Sequence, residues 1–185
     1  MFKRLLGIGP NPNQSVVDDV YEQIVAAARQ PVLYATWHVP DTPLGRFEMI
    51  SLMLFLVLRR LRGEKDAAGA VAQDLVDTFF KEVEHSIREL GIGDMGVPKR
   101  MKKLARMFYG RTASYDAALD DRDDAAFAEA LKRNVRPTDS DWPQAVDLAR
   151  YVAQVEASLG KQEVAAILRG SVTFPHAVGN AGEAA

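Results

Sequence analysis

The chain has 185 residues, of which 48% are hydrophobic and 26% are charged, and its formal net charge is −2. This composition is typical of one folded globular domain and differs from that of disordered or fibrous proteins. A net charge so close to zero gives no overall attraction to nucleic acid or anionic membranes, so any such attraction must come from local clusters. Because the sequence contains no cysteine, disulfides, thiolate nucleophiles, iron–sulfur clusters and zinc–thiolate sites are excluded.

The first residues contain a basic pair but no apolar stretch of secretory length, because prolines and asparagines alternate over residues 10–13. We predict a flexible N-terminal segment over residues 1–14. Its Phe2, Leu5 and Leu6 are candidates for shallow contact with a membrane surface. The opening is also too short for a mitochondrial transit peptide, which favours a bacterial cytoplasmic protein.

Apolar residues recur at helical spacing from the start of the globular part. Ser15 and Asp18 resemble a capping box that begins a first helix, which Pro31 ends. We expect residues 31–42 to be irregular and a second helix to run from Pro43 to about Arg62. Its apolar run over residues 49–58 rises only about 15 Å, half of a bilayer's hydrocarbon thickness, and therefore indicates a buried central helix.

Further helices are predicted along the rest of the chain. A third runs from about residue 66 to a stop at Gly91, and a fourth carries apolar positions over residues 97–108. One interrupted or two short helices follow over 113–119 and 124–131, then a long helix over 145–159 and a short one near 164–168. No strand alternation is present. The sequence predicts an all-α, single-domain irregular bundle of about seven helices around the hydrophobic central helix, spanning residues 15–170, with a flexible tail over 171–185.

Residues 91–96 read Gly-Ile-Gly-Asp-Met-Gly and match the G-x-G-x-x-G pattern of dinucleotide-binding folds. That pattern requires a preceding strand, whereas an amphipathic helix precedes these glycines. We therefore interpret them as a turn between two helices. A weaker alternative is that the loop amides and the following helix, together with Lys99, hold an anion.

No arrangement typical of a catalytic or metal site occurs in the sequence. His38, His85 and His176 are isolated from one another and match no metal-binding motif. The nucleophile elbow G-x-S-x-G and the haem-attachment motif C-x-x-C-H are both absent. We expect no cofactor, no bound metal and no enzymatic activity.

The fourth predicted helix is strongly basic. It carries six basic residues with no acidic residue between them: Lys99, Arg100, Lys102, Lys103, Arg106 and Arg111. One interpretation is a solvated face that the acidic segment over residues 116–124 partly neutralises. The other is attraction to an anionic partner. At about 1 kcal/mol per basic residue near an anionic membrane, the set gives about 5 kcal/mol, enough for transient but not stable attachment.

The segment before the second helix is stiff and aromatic. In a structural interpretation Trp37 packs on the core, Asp41 or Thr42 caps the second helix, and Arg46 pairs with a nearby carboxylate. In a functional interpretation the segment forms one wall of a groove that receives an apolar helix of a partner. Both interpretations remain open at this point.

Two blocks of the sequence resemble the ubiquinol-cytochrome c chaperone family. The first reads W-H-V-P-D-T-P-L-G-R-F-E-M-I-S-L-M-L-F-L-V-L-R-R-L-R over residues 37–62, and the second reads G-I-G-D-M-G-V-P-K-R-M-K-K-L-A-R-M-F-Y-G-R over residues 91–111. The resemblance extends over about residues 16–170. From these blocks we take as candidate partner-binding residues Trp37, Pro40, Asp41, Arg46, Phe47, Asp94, Lys99, Arg100, Lys102, Lys103, Arg106, Tyr109 and Arg111.

The resemblance implies a non-enzymatic assembly factor for the respiratory ubiquinol:cytochrome c reductase that binds nascent or unassembled cytochrome b. For a bacterial relative it implies the same client at the plasma membrane. The basic helix would bring a cytoplasmic protein to the inner face of that membrane peripherally, by attraction to anionic lipid, ribosomal RNA or an acidic client loop. Mitochondrial members of the family are understood to contact the ribosome exit region. The alternative is a basic helical module that binds RNA or the ribosome without contacting the client, and a third hypothesis is a small helical enzyme. No DNA partner is expected.

Overall fold

The computed structural model describes residues 13–64, 67–139 and 141–179. In these ranges the chain forms eight helices and no strand, which confirms the all-α bundle. The helices are α1 (Gln14–Ala28), α2 (Pro31–Ala35), α3 (Pro43–Leu61), α4 (Ala67–Glu89), α5 (Val97–Asp120), α6 (Asp124–Val135), α7 (Ala145–Gly160) and α8 (Val164–Ile167). None of these helices is both long and apolar enough to cross a membrane.

The most apolar helix, α3, is the centre of the bundle. It packs against α1, α4, α5, α6 and α7, and its buried residues continue from Met49 to Val57 with one exception, the half-buried Ile50. The predicted start is confirmed, because the Thr42 Oγ1 accepts a hydrogen bond from the Gly45 amide at 3.1 Å. A Cβ on Gly45 would lie 1.9 Å from the carbonyl oxygen of the preceding loop, so only glycine fits this close approach.

Two local predictions near α1 and α2 were wrong. The capping box is not formed, since α1 begins at Gln14 and its cap residue Asn13 makes no side-chain cap hydrogen bond. The segment predicted to be irregular contains α2, with Pro31 in its first turn, where the missing N–H costs no helical hydrogen bond. Leu33 anchors this short helix in the core. Tertiary packing therefore decides the structure of a segment whose prolines favour a loop.

The basic helix is longer than the sequence predicts. We expected the basic helix to extend to Arg111 and a separate helix to follow over residues 113–119, whereas α5 is one continuous helix of 24 residues that includes Gly110. Phe108 and Tyr115 lie two turns apart on one face and both are buried, so their packing outweighs the roughly 1 kcal/mol by which an internal glycine weakens a helix. The segment predicted as an interrupted helix is thus the second half of α5 followed by α6.

Part of the predicted C-terminal tail packs against the helical body. The Gln23 side chain accepts a hydrogen bond from the Val172 amide at 2.9 Å, and Gln30 accepts one from the Ala177 amide at 2.7 Å. Val172 and Ala177 are buried. The expectation of a fraying tail does not hold for residues 171–179. Residues 180–185, and the N-terminal segment over 1–12 with its predicted membrane contact, lie outside the described residues.

Two arginines at the C-terminal end of α3 connect this helix to distant parts of the chain. Arg59 forms salt bridges with Asp116 and Asp120 of α5, both at 2.6 Å, and with Glu156 of α7 at 3.3 Å. Arg60 donates to two backbone carbonyls at the C-terminal end of α7, at 3.0 and 2.9 Å. The end of the central helix is therefore fixed by elements that follow it by 50 to 100 residues.

Candidate functional site

A groove of about 1090 Å³ runs along one side of the bundle. It is bounded by α1, the start of α3, the C-terminal half of α4 and the N-terminal half of α5, with α4 packed against both α1 and α5. Apolar side chains on the central elements form its floor, among them Phe47, Phe79, Val83, Ile87, Leu104 and Met107. The volume exceeds that of a typical small-molecule pocket, and its open, elongated lining suits a segment of polypeptide.

Exposed apolar side chains extend this surface at the rim. Leu44 at the start of α3 is 47% exposed and Leu90 at the end of α4 is 59% exposed, and both line the groove. By contrast, Met49 and Met53 are completely buried and belong to the core. Within the described residues, the groove therefore has an open apolar surface with exposed leucine side chains at its rim.

The residues predicted around the start of the second helix separate into core and groove positions. Trp37 is buried, and its carbonyl accepts a hydrogen bond from the Trp142 indole N–H at 2.7 Å, so its role is structural. Pro40 is half-buried and does not line the groove. Asp41, Arg46 and Phe47 do line it. Arg46 donates to Asp41 at 2.6 Å, which confirms the predicted pairing with a nearby carboxylate, and this bond holds the pKa of Asp41 below its usual value.

Helical spacing divides the exposed basic residues of α5 into two rows. The groove row, which lines the groove, consists of Arg100 and Lys103. The outer row, which faces solvent outside the groove, consists of Lys99, Lys102 and Arg106. Tyr109 continues the outer row and is 58% exposed. Across the described ranges, none of these five basic side chains forms a salt bridge.

The two acidic residues that follow most closely do not neutralise these rows. Asp116 and Asp120 pair with Arg59, and Asp116 also pairs with Arg62 at 2.6 Å. For these two members of the acidic segment over residues 116–124, the predicted partial neutralisation of the basic face was wrong, because their carboxylates hold α5 against α3. The five basic side chains are exposed, as the first interpretation predicts for a solvated face.

Arg111, the last of the predicted basic residues, belongs to the interior. Its side chain is 13% exposed and lies 2.8 Å from the carboxylate of Glu48, which is almost completely buried. The Arg111 Nη2 donates to the Asn134 carbonyl at 3.3 Å, whereas its Nε and Nη1, and the Ser51 Oγ one turn after Glu48 on α3, have no hydrogen-bond partner among the residues that the structure describes. Burial raises the pKa of Glu48 to about 7, against the opposing effect of the Arg111 charge.

The glycine-rich loop joins two helices, as predicted. Residues 91–96 connect α4 to α5, and Gly91 has a φ of +76°, the left-handed conformation that ends many helices. Asp94, a predicted partner-binding residue, is exposed and pairs with Arg88 of α4. An anion held at this loop near Lys99 stays a prediction.

Metal-ligand geometry is not found in the part of the chain that the structure describes. There, no group of three or more histidine, aspartate or glutamate side chains lies close enough to hold a metal ion. His85 pairs with Glu89 at 3.2 Å, one helical turn away.

Comparison with known proteins agrees with this architecture. The family model described as "Ubiquinol-cytochrome C chaperone" matches residues 35–174. The crystal structure of the Cbp3 homolog from Brucella abortus superposes with a TM-score of 0.83 at 52% sequence identity, covering 95% of this chain and 97% of that chain.

A curated relative is more distant. The Ubiquinol-cytochrome-c reductase complex assembly factor 1 of Xenopus laevis is 26% identical over 110 residues, which cover 60% of this chain and 54% of that protein. The match spans only about half of the length of that relative. The family match nevertheless covers most of this chain, from before α3 to beyond α8. The chain belongs to the ubiquinol-cytochrome C chaperone family.

Proposed function

We propose that the chain is a non-enzymatic assembly factor for the ubiquinol:cytochrome c reductase and that its client is nascent or unassembled cytochrome b. The observation that carries this proposal is the open apolar groove flanked by the unpaired groove row of α5. An apolar client surface gains free energy by leaving water in such a groove, at about 25 cal/mol per Å² of buried apolar area. Membership of the family supports the reductase as the final product of the client's assembly.

The basic face of α5 brings the client and the groove together. Its five unpaired basic residues raise the association rate with an acidic client loop or an anionic membrane. At about 1 kcal/mol per residue, the three charges of the outer row contribute about 3 kcal/mol at an anionic lipid surface, which gives transient residence. We place the chain at the cytoplasmic face of the membrane, where cytochrome b emerges.

Site-specific photocrosslinking in cells tests the client. A photoreactive residue at Leu44 or Leu90, both on the groove rim, should capture cytochrome b. The matched control is Val146 on α7, which is 37% exposed and lies outside the groove. Equal capture from Val146, or no cytochrome b from either rim position, would contradict the proposal.

Charge reversal tests the role of α5. Changing Lys99, Lys102, Lys103 and Arg106 together to glutamate should lower capture of cytochrome b while the helical circular dichroism spectrum stays unchanged. All four side chains are exposed and unpaired within the described ranges, so the fold does not depend on them. Undiminished capture by this variant would exclude steering by α5.

A second function, binding to RNA at the ribosome exit region, is favoured by one observation. The outer row lies beside the exposed ring of Tyr109, and basic charge next to an exposed aromatic ring is the arrangement that binds single-stranded nucleic acid. Tyr109→Ala should then weaken cosedimentation with ribosomes, and raising the salt concentration should abolish it. Ribosome binding together with an absence of client crosslinks would favour this function over the first.

A further inference from the structure

The charges around the groove are separated along its length. α1 and α4 run side by side in the same direction. Asn13 donates to Asp74 at 3.3 Å, and further along both helices, burial and then the charge of Glu82 raise the pKa of Tyr21 to about 12. Both pairs are separated by 61 positions in the sequence. Each position of α1 therefore lies level with the position of α4 that comes 61 residues later in the sequence. By this offset, the first turns of α1 are level with Phe79, and the residue that follows the end of α1 is level with Leu90.

α5 runs in the opposite direction to α4, because a short loop joins the end of α4 to the start of α5 and the two helices pack side by side. The ring of Phe108 lies 5.4 Å from that of Phe79 and 5.7 Å from that of Phe80. Moving back along α5 from Phe108 to Arg100 therefore moves towards the C-terminal end of α4. The groove row consequently lies at the same end of the groove as Arg29, the C-cap residue of α1.

The charges that line the groove are unevenly distributed along it. The acidic end carries Asp18, Glu22 and Glu82. The basic residues lie further towards the other, basic end: Lys103 near the middle of the groove, level with about position 84 of α4, and then Arg100 and Arg29. Of the other charged groups that line the groove, Arg46 pairs with Asp41, and Glu89, an acidic residue at the basic end, lies 3.2 Å from the imidazole of His85. The apolar floor lies beneath both groups of charges.

A uniformly apolar transmembrane helix would fit this groove poorly. When such a helix docks, the carboxylates at one end of the groove and the guanidinium and ammonium groups at the other lose contact with water and gain no partner. Burying unpaired charges in this way costs free energy. A helix that carries complementary charges at its two ends keeps those groups paired and buries the same apolar stripe. The charge pattern therefore discriminates between two kinds of apolar segment.

We propose that the groove binds one amphipathic helix of about 13 residues, with acidic residues at its start, basic residues at its end and an apolar stripe between them. The length follows from the floor, since Thr78 to Leu90 spans about 18 Å at 1.5 Å per residue. Helices generally favour acidic residues in the first turn and basic residues in the last. Such a segment binds with its N-terminus over Arg100 and Lys103. This inference deepens the proposed function, on which it rests in taking the groove as the client site.

Synthetic peptides test this directly with the full chain. The dipolar peptide has an apolar leucine stripe, glutamates in its first turn and lysines in its last, and two comparison peptides carry the same stripe with glutamate only or lysine only. In fluorescence anisotropy titrations, the dipolar peptide should bind about 10-fold more tightly than either comparison peptide, because several partly exposed charge pairs together supply that difference. Equal or tighter binding of a uniformly charged peptide would overturn the inference.

Two charge-reversed variants form a matched pair. The R100E/K103E variant should bind the dipolar peptide about 10-fold more weakly, whereas K161E/R169E, which makes the same change of net charge at two exposed positions outside both the groove and α5, should stay within about 2-fold of the unchanged protein. The E22K/E82K variant at the acidic end should weaken binding like R100E/K103E. Equal weakening by R100E/K103E and K161E/R169E would reduce the effect to net charge and overturn the proposed site.

The direction of the bound helix is determined by crosslinking. A photoreactive group at the N-terminus of the dipolar peptide should attach near Arg100, and attachment near Asp18 would contradict the proposed direction.

Two other occupants of the groove are also outcomes of the test. A chain that is dimeric alone and monomeric with peptide would assign the groove to a second copy, and peptide binding that requires removal of residues 1–12 would assign it to the chain's own N-terminal segment. Either result overturns the inference.

The outcome separates this inference from the proposed function. Peptide binding does not depend on the identity of the client. Preserved binding of the dipolar peptide without capture of cytochrome b in cells would therefore count against the client and leave the chemistry of the groove intact.

Discussion

The Glu48→Gln substitution removes a buried ionisable group and keeps the shape of its side chain. Burial raises the pKa of Glu48 from 4.5 to about 7, with Arg111 opposing the change. Between these pH values the folded protein binds the proton more tightly than the unfolded chain does. The contribution of Glu48 to folded stability is therefore fully present below about pH 4.5, is lost as the pH rises to about 7, and is constant above that.

The pKa change sets the size of the effect. The difference between 4.5 and about 7, at about 1.4 kcal/mol per pKa unit, corresponds to about 3 kcal/mol. Glutamine does not ionise, so the free energy of unfolding of the E48Q variant lacks this contribution. Relative to the unchanged protein, the variant should gain most of the 3 kcal/mol between pH 5 and pH 8.

Urea denaturation followed by far-ultraviolet circular dichroism at pH 5 and pH 8 measures this difference. Titration of all other groups cancels when the variant is compared with the unchanged protein at each pH. Glu163→Gln, at an exposed position before α8, is the matched control and should have little effect at either pH. A difference between E48Q and the unchanged protein that is the same at pH 5 and pH 8 would show that Arg111 cancels the effect of burial, and a difference that shifts towards the unchanged protein as the pH rises would show that Arg111 outweighs it.

Further substitutions test the packing of the bundle by the same denaturation measurement. Gly45→Ala should destabilise the protein by about 2–3 kcal/mol because its Cβ meets a backbone carbonyl, whereas Gly69→Ala, in open space on α4, should stabilise it by about 0.5–1 kcal/mol. The opposite order would refute the close approach. Trp142→Phe should cost about 1–3 kcal/mol, since the buried Trp37 carbonyl loses its donor. Arg59→Met should cost about 2 kcal/mol at low salt and less at high salt, and a loss independent of salt would argue against its ion pairs.

Features set by local chemistry could be predicted from the sequence. The start of α3 depends on a threonine followed by a proline, and the end of α4 depends on a glycine at positive φ. Both signals act within a few residues, so no knowledge of the rest of the fold is needed. The apolar run of α3 likewise identifies the centre of the bundle, because only a buried helix can be apolar on nearly all sides.

Features set by distant contacts could not be predicted. Gln23 and Gln30 fix the segment over residues 171–179 from 149 and 147 positions away, and nothing in that segment's own composition indicates these partners. The continuity of α5 through Gly110 depends on aromatic packing against other helices. In both cases, tertiary contacts outweigh a local preference for disorder or for a helix end.

The candidate site was found only in part. Phe47, Arg100 and Lys103 were predicted and line the groove, whereas the acidic end, built by α1 and α4, was missed because its carboxylates look like ordinary surface charge in the sequence. Arg111 was grouped with the exposed basic residues, although it faces Glu48. A charged residue at the edge of the most apolar run of the chain is a signal that would have pointed to this buried pair.

The arginines at the end of α3 have a consequence for how the protein itself is made. Arg60 donates to two backbone carbonyls at the end of α7, and Arg59 pairs with carboxylates of α5 and α7. During synthesis, the most hydrophobic helix of the chain is therefore complete roughly a hundred residues before its last partners leave the ribosome. A chain truncated before α7 would leave part of that helix exposed to water, so truncated products should aggregate or be degraded. The protein should therefore itself need a chaperone until the final third of its chain has been synthesised.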